Sequence, residues 1–227
     1  MVPRPAATVM LLRPATPGVG VYLIRRSSRS RFMPDAYVFP GGAVDAADGD
    51  PPAAFAVAAL RELFEEAGIL LARTAAGTAC ALEGAQLEAL RAQALEGTPI
   101  AALLERHGLQ LDTAALTYYS NWITPQSEPI RFDAHFFIAR APQGQTALAD
   151  ANEVHDGIWI AAAEALARAD RNELVVRFPT RKHLERLARF DDVDDFLAHA
   201  RSRTIVPVMP FEDGTDAFGL PGGADAW

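Results

Sequence analysis

Short apolar runs bounded by proline and glycine alternate along this chain with longer stretches in which apolar positions recur every three or four residues. The runs Thr8–Leu12, Gly20–Ile24 and Tyr37–Phe39 predict strands, the first two parted by the turn-rich Pro14-Ala15-Thr16-Pro17-Gly18. The Ala-rich segment Ala53–Ala67 predicts a helix. Asp50 is placed to cap it, Pro51 suits a first turn where its missing N–H costs nothing, and Gly68 supplies the stop. Gly84–Glu96 and Thr98–His107 predict two more helices, punctuated by Gly97 and Gly108. Leu116–Ile123 and Arg131–Arg140 are strong strand signals, and Val154–Ile160 is another. Ala161–Ala169, Pro179–Phe190 and Val193–Arg201 predict helices. The tail Thr204–Trp227, rich in Pro, Gly and Asp, predicts a short strand or hairpin with loose final residues.

Interleaved strands and helices give a layered α/β class, with no internal repeat or low-complexity linker to divide it. Residues 1–227 read as a single domain with a helical insertion over about 80–112 and C-terminal helices and tail over about 179–227. Half of the residues are hydrophobic, enough for a sizeable core. The net charge of −8 argues against a nucleic-acid partner but leaves room for a small anionic substrate on a local basic patch. Cys80 is the single cysteine, so no internal disulfide is available, as suits a reducing compartment. The chain has no apolar run long enough to span a bilayer, no leader-like segment at Met1–Pro5 and no Ser-Lys-Leu terminus. The expectation is a soluble cytoplasmic protein without a membrane partner, with a homodimer left open.

The candidate chemistry lies in Arg61-Glu62-Leu63-Phe64-Glu65-Glu66-Ala67-Gly68-Ile69. Offsets of three and four residues put the carboxylates of Glu62, Glu65 and Glu66 on one helix face. Like charges so close raise one another's pKa unless a cation neutralises them, and a hard divalent ion with oxygen ligands is the simplest reason for such a face. A Glu-Glu pair is more often an ordinary solvated helix face. The conjunction decides here: a glycine pair after a strand (Phe39-Pro40-Gly41-Gly42), a capped helix, Arg and three carboxylates in order, and a terminal glycine.

This order resembles the signature of the Nudix hydrolases: Gly, five residues, Glu, seven residues, then Arg-Glu-apolar-x-Glu-Glu-x-Gly-apolar. Gly42 matches the leading glycine, and Arg61 to Ile69 match the second half without exception. Two departures stand. Asp48 occupies the place of the first Glu, and twelve residues, not seven, part it from Arg61. The resemblance implies a Nudix α/β/α sandwich with a mixed sheet and a metal-dependent pyrophosphohydrolase using Mg²⁺ or Mn²⁺. It implies Glu65 and Glu66 as main metal ligands, Glu62 as a further ligand or the base, and Arg61 orienting the carboxylates. The Gly41-Gly42 backbone would allow close approach, with a Gly42 carbonyl available to the metal. The role of Asp48 stays open.

Upstream, Arg26-Ser27-x3-Arg31-x3-Asp35-x3-Phe39-Pro40-Gly41-Gly42 resembles the motif of coenzyme A diphosphatases, save that Asp35 replaces a glycine. Arg26 and Arg31, with Arg25 and Arg29 nearby, form a basic loop suited to the phosphates of a nucleotide diphosphate. Phe32-Met33-Pro34, Val44–Asp48, Ser120–Pro125 and Arg131-Phe132-Asp133 resemble the peroxisomal mammalian coenzyme A diphosphatase group and its bacterial relatives, which share the lengthened stretch before the helix. The implied substrate is coenzyme A or an acyl-CoA. The alternatives are another nucleotide such as ADP-ribose, NADH or a dinucleotide, favoured by Asp35, and a catalytically inactive nucleotide-binding regulator, disfavoured by the intact carboxylates.

Glu153, just before a strand, is where several Nudix enzymes place a loop carboxylate that completes the metal site or acts as base; Glu128 is a weaker candidate. Trp122 reads as core more readily than as a stacking platform. His135, in an apolar strand, reads as a hydrogen-bonded core residue. His155 and His183 lack metal-ligand spacing. Patterns of serine hydrolases and P-loop NTPases do not occur.

Overall fold

The structure is a computed structural model that describes residues 2–29, 33–149, 154–212, 218–223 and 227. Strands β1 (Arg4–Pro14), β2 (Val19–Arg26), β3 (Tyr37–Val38) and β4 (Gly41–Ala43) lead into helix α1 (Ala53–Ala67). Then come β5 (Ala72–Thr74), α2 (Ala85–Leu95), α3 (Ile100–Glu105) and β6 (Leu109–Leu111). Strands β7 (Thr117–Ile123), β8 (Phe132–Arg140) and β9 (Val154–Ala161) are followed by α4 (Ala162–Asp170), α5 (Phe178–Leu187) and α6 (Val193–Ser202). The short strands β10 (Pro207–Val208), β11 (Phe211–Glu212) and β12 (Phe218–Gly219) form the tail.

Strand β1 organises the molecule. It is apolar on both faces: Ala7, Val9 and Leu11 point towards α1, and Met10 and Leu12 towards the C-terminal helices α4, α5 and α6. The sheet runs β10-β7-β8-β1-β2-β3, with β9 also paired to β2. It is mixed, because β1 pairs β8 in parallel and β2 antiparallel. Strand β1 divides its free edge: Leu12–Pro14 pair with β2, and Ala6–Thr8 pair with β4. That division brings Gly41 and Gly42 into the sheet directly beneath α1. Helices on both faces give the expected α/β/α sandwich.

A third core joins the insertion to α1. Phe64 of α1 and Leu70 pack with Leu87, Leu90 and Ala94 of α2 and with Leu103 and Leu104 of α3. The β5–β6 ladder, absent from the sequence reading, closes the base of this excursion.

Two sequence expectations fail. Asp50 does not cap α1: Pro52 takes the cap position at φ −86, ψ −10, and Asp50 contributes only its carbonyl, which accepts the Ala54 N–H at 3.1 Å. A residue before proline disfavours the helical region, so Pro51 cannot enter the helix and the helix starts beyond both prolines. The last residue is not loose either. Trp227 is buried, its ring 4.8 Å from those of both Trp122 and His183, and its carbonyl accepts a hydrogen bond from Arg186 at 2.6 Å. A large aromatic ring offered an open place in an aromatic core loses its freedom to that burial. Residues 224–226, expected to be loose, lie outside the described residues.

Trp122 is core, as expected. His183 is fully buried there. Its Nδ1 lies 2.7 Å from the Pro179 carbonyl, an acceptor only, so Nδ1 carries the proton and donates. Nε2 then accepts from the Ser120 hydroxyl at 2.8 Å. Burial pushes its pKa from 6.5 down to about 3, so the folded protein keeps it neutral. Between those values the unfolded chain binds one more proton at this residue than the folded chain. Stability is expected to fall as pH falls through that window, by about 1.4 kcal/mol per unit from His183 alone, and to be flat in this contribution above it. Urea unfolding at pH 7.5, 5.5 and 4.5 measures this: His183→Gln should lose that part of the slope, and equal slopes in the two proteins would contradict it.

Candidate active site

The carboxylate-bearing part of α1 lies against β4 and the 3-10 turn Ala46–Asp48. Arg61 is the hub. Its Nε and Nη2 donate to the two oxygens of Asp48 at 2.9 and 3.0 Å. Nη2 also donates to the Ala43 carbonyl at 2.9 Å, and Nη1 to Glu62 at 2.8 Å and Glu65 at 3.1 Å. The planar fork of a guanidinium fits such a two-oxygen grip. The Asp48 side chain is only 1% exposed, and one of its oxygens also accepts the Asp45 N–H at 2.8 Å. The position left open in the sequence is thus an anchor for Arg61. Asp48 closes the 3-10 turn Ala46–Asp48, and residues 49–52 lead from it into α1.

The glycine pair has a steric reason. A Cβ on Gly42 would lie 2.3 Å from Glu62 Oε1, and one on Gly41 would lie 2.5 Å from the Ala7 carbonyl. Bare Cα atoms let β4 sit between β1 and the carboxylates. The Gly41 N–H donates to Glu66 Oε2 at 2.7 Å, fixing that side chain.

Electrostatics follow from this crowding. Burial alone would lower the Arg61 pKa, but the bonds to Asp48 and Glu62 outweigh it and raise the value, so Arg61 stays charged. Burial raises the Glu65 pKa, and the Arg61 charge offsets this only in part. The carboxylate oxygens of Glu62, Glu65 and Glu66 are a donor set that suits a hard divalent cation. They do not form a finished cage: among the described residues no three acidic, histidine or cysteine side chains gather closely enough to hold an ion by themselves. Glu62 and Glu65 share Arg61 Nη1, while Glu66 holds the Gly41 amide.

The other predicted residues divide. Arg26 ends β2, its N–H donating to the Ala36 carbonyl at 3.0 Å and its Cα paired with Val154. Arg31 and Glu153 lie outside the described residues. Glu128 is in the turn between β7 and β8, its N–H donating to the Pro125 carbonyl. His135 is only partly buried and not in the core as expected; its Nε2 lies 3.5 Å from an Asp133 oxygen. It lies on the α1 face, stacked 3.6 Å from the Phe55 ring and 5.4 Å from Tyr118. Asp35, at the glycine position of the upstream motif, adopts φ +59, a left-handed conformation that Asp tolerates better than most residues. Its carboxylate pairs with Arg25 at 2.7 Å.

Sequence reasoning missed Arg91 of α2, whose Nε and Nη2 donate to the Glu65 carbonyl at 3.0 and 2.8 Å. A contact spanning 26 residues leaves no local signal.

Comparison with known proteins bears on this geometry. The family description "NUDT19 Nudix domain" matches residues 50–187, and the general "NUDIX domain" matches residues 2–82. The acyl-coenzyme A diphosphatase NUDT19 of Gallus gallus is 29% identical over 80% of this chain and 64% of its own length. The human protein of the same name gives the same figures. The chain thus spans less than two thirds of these relatives. Among solved structures, a NUDIX hydrolase from Alicyclobacillus acidocaldarius is 29% identical with a TM-score of 0.79, over 87% of this chain and 96% of the other.

Proposed function

Because the chain belongs to the NUDT19 Nudix domain family of the Nudix hydrolases, we propose that it is a metal-dependent pyrophosphohydrolase whose substrate is coenzyme A or an acyl-CoA. The carrying observation is the Arg61–Asp48–Glu62–Glu65 network set against Gly41 and Gly42. In this reading Glu65 and Glu66, with Glu62 and the Gly42 carbonyl, would hold Mg²⁺ or Mn²⁺. A bound divalent cation neutralises diphosphate oxygens and lowers the pKa of the attacking water. Arg61 keeps Glu62 and Glu65 in place and is itself kept by Asp48. Glu62 or Glu153 accepts the proton of the water. Arg26 and Arg31 are the basic residues assigned to the phosphates. Water adds to one phosphorus, the P–O–P bond breaks, and the products are 3′,5′-ADP and (acyl-)4′-phosphopantetheine. The names of the two NUDT19 relatives support this substrate.

One observation favours a second reading. Asp35 neutralises Arg25 at the start of the basic loop, leaving it less suited to the additional 3′-phosphate of coenzyme A. ADP-ribose and NADH carry no such phosphate. Turnover of a panel of coenzyme A, acetyl-CoA, ADP-ribose, NADH and diadenosine polyphosphates, with Mg²⁺ and with Mn²⁺, separates the two. The expected result is the highest kcat/KM on a coenzyme A ester; a rate on ADP-ribose or NADH far above it overturns the assignment.

A further inference from the structure

We propose that Arg91, on the insertion helix α2, is a positioning residue for the carboxylate-bearing end of α1. The last carbonyls of a helix have no partner within it. In α1, the Glu65 carbonyl is taken by Arg91 through two N–H donors at 3.0 and 2.8 Å, and the Ala67 carbonyl by the Leu148 N–H at 2.9 Å. The guanidinium lies across the end of the helix. A Cβ on Gly68 would sit 3.1 Å from Arg91 Nη1, so the glycine that turns the chain at φ +69 also makes room for the arginine. A cation at this end opposes the negative pole of the helix dipole.

The arginine is itself held. It lies four residues after Leu87 and three before Ala94 on α2, and those two residues pack in the core that contains Phe64 and Leu70. The insertion thus grips α1 in two ways, through Phe64 by packing and through Glu65 by hydrogen bonds. Both grips fall in the turn from which Glu65 and Glu66 project. Fixing the Glu65 carbonyl fixes the rotation of that turn. It keeps Glu65 towards Arg61 and Glu66 towards the Gly41 amide. The insertion is then part of what presents the carboxylates, although it supplies none of them.

This inference rests on the proposed reading in which those carboxylates take the divalent cation. Titration calorimetry with Mn²⁺ alone, on the whole chain, separates the two. Arg91→Met keeps an apolar stem against α2 while removing charge and donors, and Mn²⁺ should bind it about tenfold more weakly, the low end for supporting residues around a metal. Arg91→Lys restores the charge without the paired donors and is expected about threefold weaker than the original protein. Arg106→Ala, on the same insertion but bonded only to Gln93 among the described contacts, is expected to bind normally. Melting temperature is measured in parallel. An unchanged Mn²⁺ affinity in Arg91→Met, with only a lower melting temperature, overturns the positioning role. Should that variant not fold, an unchanged affinity in Arg91→Lys overturns it instead. Failure of the unsubstituted chain to bind Mn²⁺ overturns the metal-site reading and the inference that depends on it.

Discussion

Replacing Glu66 by Gln is expected to lower the proposed metal-dependent hydrolysis by about 100-fold or more, the cost of removing a principal electrostatic contributor. The substitution isolates charge from shape. A Gln oxygen can still accept the Gly41 N–H that Glu66 accepts at 2.7 Å, so the side chain stays where it is. Arg61 does not touch Glu66 in the contacts described, so the Asp48 network is undisturbed. What disappears is one negative charge from the face on which the proposed reaction depends. Steady-state rates with Mg²⁺ on the best substrate of the panel, together with an unchanged circular dichroism spectrum, provide the check. An activity within about threefold of the original would place the cation away from α1, because second-order effects on a principal ligand do not stay so small.

The largest loss of stability is expected from Arg61→Ala, at about 3–5 kcal/mol. The Asp48 side chain is almost completely enclosed and gives both oxygens to Arg61. Truncation of the arginine strands that charge inside the protein and leaves the Ala43 carbonyl without this donor. It also removes the guanidinium that Glu62 and Glu65 share. Asp48→Ala removes the other half and should cost a similar amount, since Arg61 is then buried with only its remaining partners. The double variant should lose clearly less than the sum of the two, because neither unpaired charge remains. Urea unfolding of the four proteins measures the cycle. A loss below about 1 kcal/mol in Arg61→Ala would mean that water reaches the pair in solution, and that the network is a surface feature of small value.

The pattern of the helix was readable at once because its determinants are local. Ala-rich composition, the offsets among Glu62, Glu65 and Glu66, and Gly68 at the stop act within one or two turns of chain. The start of that helix departs from its local signal because two prolines in succession override a good capping residue. The apolar run predicts only the centre of β1, Thr8–Leu12; the full Arg4–Pro14 exists because β8, β4 and β2 supply partners along its length. Trp227 read as a loose end because nothing near it in the chain indicates the ring cluster of Trp122 and His183 that receives it.

The candidate site divides along the same line. Periodicity and residue type are enough to place three carboxylates and an arginine on one helix after a glycine pair and to point to a hard cation; the diphosphate follows from the resemblance to the Nudix signature. The purpose of the glycines, the anchoring of Arg61 by Asp48 and the grip of Arg91 on Glu65 depend on where distant segments meet. Local spacing sets which face of a helix a side chain occupies, because 3.6 residues complete each turn. Which partner waits on that face is set by the division of β1 between β2 and β4 and by the packing of α2 on Phe64. Those contacts are chosen by the burial of the whole chain together, and so they become visible only in the folded molecule.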